Sequence, residues 1–163
     1  MSKISLIACL SVLLLFTGSA LAVGPAELMI YGGPTVSGFS GGYDLGASAL
    51  IDLPLMPKVG VEAEKSFLSG DINITRLGLV YAQTLIPFLA SIKVSAGSSS
   101  IASNVAFSIG GQTFAASAAT SGYYATAGLV IKILNLAVNP KVVYNQYGSV
   151  AVAEGIINAG LTF

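Results

Sequence analysis

The side chains able to do chemistry in this chain are few, and what is missing narrows the field first. The 163 residues contain no histidine and one cysteine, with seven acidic and seven basic residues. Histidine is the usual general acid or base near neutral pH, so the common hydrolytic and acyl-transfer sites have no proton carrier here. The most closely spaced carboxylates are Glu62 and Glu64. Two residues apart on an extended strand, they point to one side. With Arg76 and Lys93 available as counter-charges, ion pairing explains them better than an acid/base dyad does. Loop carboxylates such as Asp71 are too scattered for a calcium loop. The expectation is no catalytic residue, no metal site and no cofactor.

What remains is a mixed-sign set, Glu62, Glu64, Arg76, Lys93, Lys132, Lys141 and Glu154. A period of two positions it. From Val150 to Phe163, Ala151, Ala153, Ile157, Ala159, Leu161 and Phe163 share one face, while Glu154, Asn158, Gly160 and Thr162 share the other. A bilayer demands this of a spanning strand, because lipid covers one face and every backbone group must be paired. Eight such segments follow one another: 26–31, 42–52, 58–68, 72–84, 88–96, 123–134, 137–147 and 150–163. All but the short first segment reach the roughly 9–11 residues of a tilted spanning strand. Compact proline-containing turns (52–58, 84–87, 135–141) alternate with small polar ones (32–42, 69–71, 110–111, 147–149), as the two ends of an up-and-down barrel should. The expected fold is an all-β, eight-stranded antiparallel transmembrane barrel, and the even count puts both termini on the periplasmic side.

The charges then fall on inward faces. An eight-stranded barrel is only just wide enough for side chains to fill, so the mixed-sign set is expected to be a structural polar cluster; a charged constriction is the alternative. If the 69–71 turn is symmetric about Gly70, Glu64 stands opposite Arg76. Lys65 is the exception. It faces lipid near the outer end of its strand, where its stem can carry the ammonium to the headgroups. Outward aromatics form two girdles, Tyr43, Phe67 and Tyr123 at the outer end and Tyr81, Phe88 and Phe163 at the inner. Tyr31, Phe39, Tyr124 and Tyr147 are expected in loops or at strand ends.

The N-terminus carries its own signal. Lys3, the apolar run Ile4–Phe16 and Ala20-Leu21-Ala22 make a secretory signal peptide over residues 1–22, leaving a barrel domain over 23–163. Cys9 lies inside that run, so the mature chain has no thiol. It also loses Lys3, leaving six basic against seven acidic residues, a net charge of −1 that offers nothing to nucleic acid. A mean hydropathy of +0.82 raises a helical membrane alternative. Its best span, Leu77–Ile92, is too short and contains Pro87.

The longest insert is a hairpin or loop near 97–121. Counted outward from a Gly110-Gly111 turn, Lys93 falls opposite Gly128 and Phe88 opposite Ile133, in phase with one long hairpin. Val105, Phe107, Ile109 and Phe114 would lie outside the membrane as surface contacts.

Signal peptide, alternating strands and a terminal Phe163 together resemble the small bacterial outer-membrane barrels, outer membrane protein X and the transmembrane domain of outer membrane protein A. The resemblance implies an outer-membrane location, contact with outer-membrane lipid, and Phe163 as an assembly signal for the barrel-assembly machinery. It implies a structural or adhesion-like role through extracellular loops and a surface protein partner, with a small-solute or hydrophobic-solute channel as the alternative. Outer-membrane hydrolases and acyltransferases resemble one another in using a histidine, which this chain lacks.

Overall fold

The structure is a computed structural model that describes residues 26–37, 42–52, 56–68, 71–103, 106–109, 111–114 and 119–163. The signal segment, Phe39 and Val105 lie outside the described residues. Among the described residues ten strands occur: β1 (Ala26–Ser37), β2 (Tyr43–Ile51), β3 (Lys58–Leu68), β4 (Ile72–Ile86), β5 (Ala90–Ser103), β6 (Phe107–Ile109), β7 (Gln112–Phe114), β8 (Ala119–Ile133), β9 (Leu136–Tyr147) and β10 (Val150–Thr162). Eight of them close into an antiparallel barrel in the order β1-β10-β9-β8-β5-β4-β3-β2, and β6 pairs with β7 apart from it. No described helix is long and apolar enough to cross a membrane.

The alternation in sequence becomes an alternation of burial. In β3, Glu62, Glu64, Ser66 and Leu68 are buried while Val61, Ala63, Lys65 and Phe67 are exposed. Outside, large apolar side chains stand uncovered all round the wall, Leu79 at 72% exposure and Val142 at 60%. A surface of that kind is the lipid-facing band of a spanning barrel. The barrel closes at its last residue, where Leu28 and Phe163 exchange both backbone hydrogen bonds, at 3.1 and 2.8 Å.

Several boundaries differ from expectation. β1 continues through Gly32, Gly33 and Pro34 to Ser37, because these residues pair with β2 up to Pro34↔Tyr43. β5 starts at Ala90 and not at Phe88, which sits in the 87–89 turn with φ +64°. The serines at 98–100 lie within β5, paired with β4 and β8. The β6–β7 pairs, such as Phe107↔Phe114, are centred on the same point between residues 110 and 111 as Lys93↔Gly128 in the wall. The hairpin therefore continues the β5–β8 register across its break.

The lumen is layered. Leu68, Ile72, Ile74, Ile101, Tyr147 and Val150 form an apolar cluster at the loop end. Toward the end that holds Ala26 and Phe163 lie two more, Met29, Tyr31, Val130 and Ala137, and Leu50, Val80 and Ala82. The central polar network runs between these apolar layers.

Candidate functional site

The network is assembled from all sides of the barrel. Asp44, Glu62, Glu64 and Glu154 and the bases Arg76, Lys93 and Lys141 are each no more than 6% exposed. Inward positions on β2, β3, β4, β5, β9 and β10 bring them together. The Arg76 guanidinium is the hub: Nε donates to Asn145 Oδ1 at 3.0 Å, Nη1 to Ser66 Oγ at 2.7 Å and Nη2 to Glu154 Oε1 at 2.7 Å. Asp44 lies 3.6 Å from Nη1 and Glu64 3.9 Å. Asn145 Nδ2 also donates to Glu154, at 2.6 Å, and Ser66 Oγ to Asp44, at 2.7 Å. A planar fork meeting acceptors on several strands fits a buried arginine better than a lysine.

The β3–β4 register does place Glu64 opposite Arg76. The shorter arginine contact nonetheless crosses to Glu154 on β10, and Glu64 is in direct contact with Lys141. Lys93 is likewise in direct contact with Glu62. A narrow lumen lets long side chains meet across it, so cross-strand register alone does not select partners.

Lys132 is not part of this network. Its ammonium lies 2.5 Å from Glu27 at the termini end, where Lys58 also reaches Glu27 at 2.8 Å and Asp52 at 3.0 Å. The apolar layer of Met29, Val130 and Ala137 separates the two groups, which is why a shared inward phase did not put Lys132 with Lys141. The mouth group lines an open vestibule of about 590 Å³ that also carries Pro87, Phe88, Leu89 and Leu134.

The tyrosines are the main departure. Tyr31, Tyr124 and Tyr147 were all expected in loops or at strand ends; Tyr147 is the last residue of β9, whereas Tyr31 and Tyr124 lie well inside β1 and β8, and all three are at most 3% exposed inside the barrel. The Tyr31 hydroxyl lies 2.8 Å from Glu62 Oε2 and 2.7 Å from Glu64 Oε1, and its single hydrogen can serve only one of them at a time. The ammoniums of Lys93 and Lys141 stand 4.8 and 5.2 Å from its ring centroid. Glycines give these rings their space. Tyr31 pairs with Gly46 and Gly160, and a Cβ at Gly46 would come within 2.6 Å of the ring. A Cβ at Gly78 would meet the Tyr124 hydroxyl at 2.5 Å, and one at Gly122 the Tyr147 ring at 2.7 Å. An inward glycine beside an inward tyrosine was the signal available in the sequence.

Among the described residues no group of His, Cys, Asp or Glu could hold a metal ion. The arrangement can pair charges and fill the lumen. Phe107 and Ile109 lie on β6 and Phe114 on β7, apart from the barrel.

No protein-family model and no curated protein sequence matches the chain. Solved structures do. The N-terminal β-barrel domain of Pseudomonas aeruginosa OprF superposes with a TM-score of 0.57 at 14% identity, over 85% of this chain and 96% of that one. Yersinia pestis outer membrane protein Ail in a phospholipid nanodisc gives 0.55 at 16%, over 86% and 99%. The outer membrane enzyme PagL gives 0.55 at 14%, over 83% and 98%. At such identities the likeness is one of fold: this chain has the architecture of the small eight-stranded outer-membrane barrels.

Proposed function

We propose that the chain is a non-enzymatic, non-conducting outer-membrane barrel that acts through its outer surface. The observation that carries this is the filled lumen. A charge network with at most 6% exposure lies behind an apolar layer at the loop end, which leaves the wall and the hairpin as the surfaces available for contact. Absence of histidine supports the non-enzymatic part. The fold does not decide it, since PagL shares the fold and is an enzyme. On this proposal residues 1–22 are a cleaved signal, both termini are periplasmic, and Phe163 serves the barrel-assembly machinery as its signal.

The contact surface we assign is the β6–β7 hairpin, with Val105, Phe107, Ile109 and Phe114 as contact residues for a surface protein partner. Short strands outside the closed barrel leave free edges that a partner strand can join. Replacing residues 104–118 by a short turn is expected to leave the barrel and its heat-modifiable migration intact while abolishing surface binding or self-association. Loss of folding would assign the segment a structural role, and unchanged binding would remove the hairpin as the contact surface.

A further inference from the structure

Among the described barrel strands the outer wall is uncharged except at one place. Of the described basic residues, Lys58, Arg76, Lys93, Lys132 and Lys141 each pair with a carboxylate inside the barrel or at its mouth. Lys65 faces outward on β3, its ammonium 5.1 Å from the Phe67 ring centroid, with no carboxylate partner among the described residues. It is the one charged side chain on the outward face of the described barrel strands.

Cross-strand register shows what surrounds it. Lys65 on β3, Thr75 on β4, Ser100 on β5 and Ser121 on β8 form one outward row. Two outward rows further from the loop end, Val61, Leu79, Ala96 and Ala125 stand side by side. There the small alanines leave an apolar trough of about 760 Å³, lined also by Val59, Tyr81 and Val94. A cation with neighbouring hydroxyls toward the loop end and an apolar trough on the same wall, with the row of Ala63, Leu77, Ser98 and Tyr123 between them, are together complementary to an anionic head on an acyl chain.

We propose that the wall over β3, β4 and β5 binds one phosphate-bearing membrane lipid, its chain in the trough and its phosphate on the Lys65 ammonium. Thr75 and Ser100 offer hydroxyl donors to the remaining phosphate oxygens. The proposal rests on the membrane-spanning reading above. A single lysine near an anionic headgroup is worth about fivefold in binding, and the trough adds chain selectivity that a free anion cannot use.

The test places the full mature protein in phosphatidylcholine nanodiscs containing a minor fraction of phosphatidic acid and counts, by native mass spectrometry, the anionic lipid that stays bound after release. The parent is expected to retain phosphatidic acid over phosphatidylcholine. Lys65→Gln should lower that retention about fivefold, while Lys65→Arg keeps it and Ala96→Trp, which fills the trough with the charge intact, lowers it. Heat-modifiability confirms that each variant is folded. Added inorganic phosphate should not displace the lipid, and displacement would overturn the assignment of a lipid occupant. Equal retention by the parent and Lys65→Gln overturns the site alone; failure of the parent to enter the bilayer overturns the membrane reading and the site together.

Discussion

Two groups of charges in this barrel use the same residue types and differ in burial. The central network around Arg76 is at most 6% exposed, whereas side chains in the mouth group of Glu27, Asp52, Lys58 and Lys132 are 14–41% exposed. Water can replace a lost partner in the mouth. In the lumen it cannot, so the same deletion strands an unpaired charge. The difference teaches that a mixed-sign lumen is two systems, one that fixes the arrangement of the wall and one that is a solvated rim.

The largest expected effect follows from that contrast. Arg76→Met should lower the unfolding free energy by about 3–5 kcal/mol, since it leaves Glu154, Asp44 and Asn145 without their hub. Lys132→Met should cost about 1 kcal/mol or less. Urea unfolding followed by gel shift in lipid vesicles measures both, and equal losses would erase the distinction between the two groups.

A sharper version uses the tyrosines. Tyr31→Phe removes a hydroxyl that bridges toward Glu62 and Glu64 and should cost about 1–3 kcal/mol. Tyr124 is equally buried, but its hydroxyl makes no hydrogen bond of good geometry among the described residues, so Tyr124→Phe should be neutral to slightly stabilising in the same unfolding experiment. A comparable loss at both positions would mean that ring packing, and not the bridge to the carboxylates, sets the value of these side chains.

Much of the barrel was legible in the sequence because its signal is local: alternation sets the face, and turn chemistry sets the ends. Glu62, Glu64, Arg76 and Lys93 were placed inward from that pattern alone, and Glu64↔Arg76 follows from a short turn. Partner choice was not legible, since Arg76–Glu154 joins residues 78 apart in sequence across the closed lumen. Tyr31 and Tyr124 were misplaced for a related reason. An aromatic at a strand end reads as an interface residue until its glycine neighbours on adjacent strands, Gly46 and Gly160 for Tyr31, are known. Lys132 shows the remaining limit: phase gives the face of a strand but not the depth along the barrel.

Ionic strength separates the two charge groups more gently. Raising salt should weaken the exposed Lys58 and Lys132 pairs and leave the central network almost untouched. The parent and Lys132→Met should therefore converge in stability at high salt, while the parent and Arg76→Met stay apart.

The smallest effect lies in the backbone at the same end as the mouth. Leu134 adopts φ +57° in the two-residue turn between β8 and β9 and is 92% exposed. Leu134→Gly should relieve that strain and stabilise the barrel by about 1 kcal/mol, read as a raised melting temperature. A loss of stability would mean that the leucine side chain gains more from the adjoining lipid than its backbone loses.

The central claim, that the network is a plug and the chain acts from its surface, is tested most directly by recording single-channel currents from the refolded protein in planar bilayers. The filled lumen predicts no resolved openings in the parent protein. Regular, reproducible conductance steps from the folded parent would contradict it.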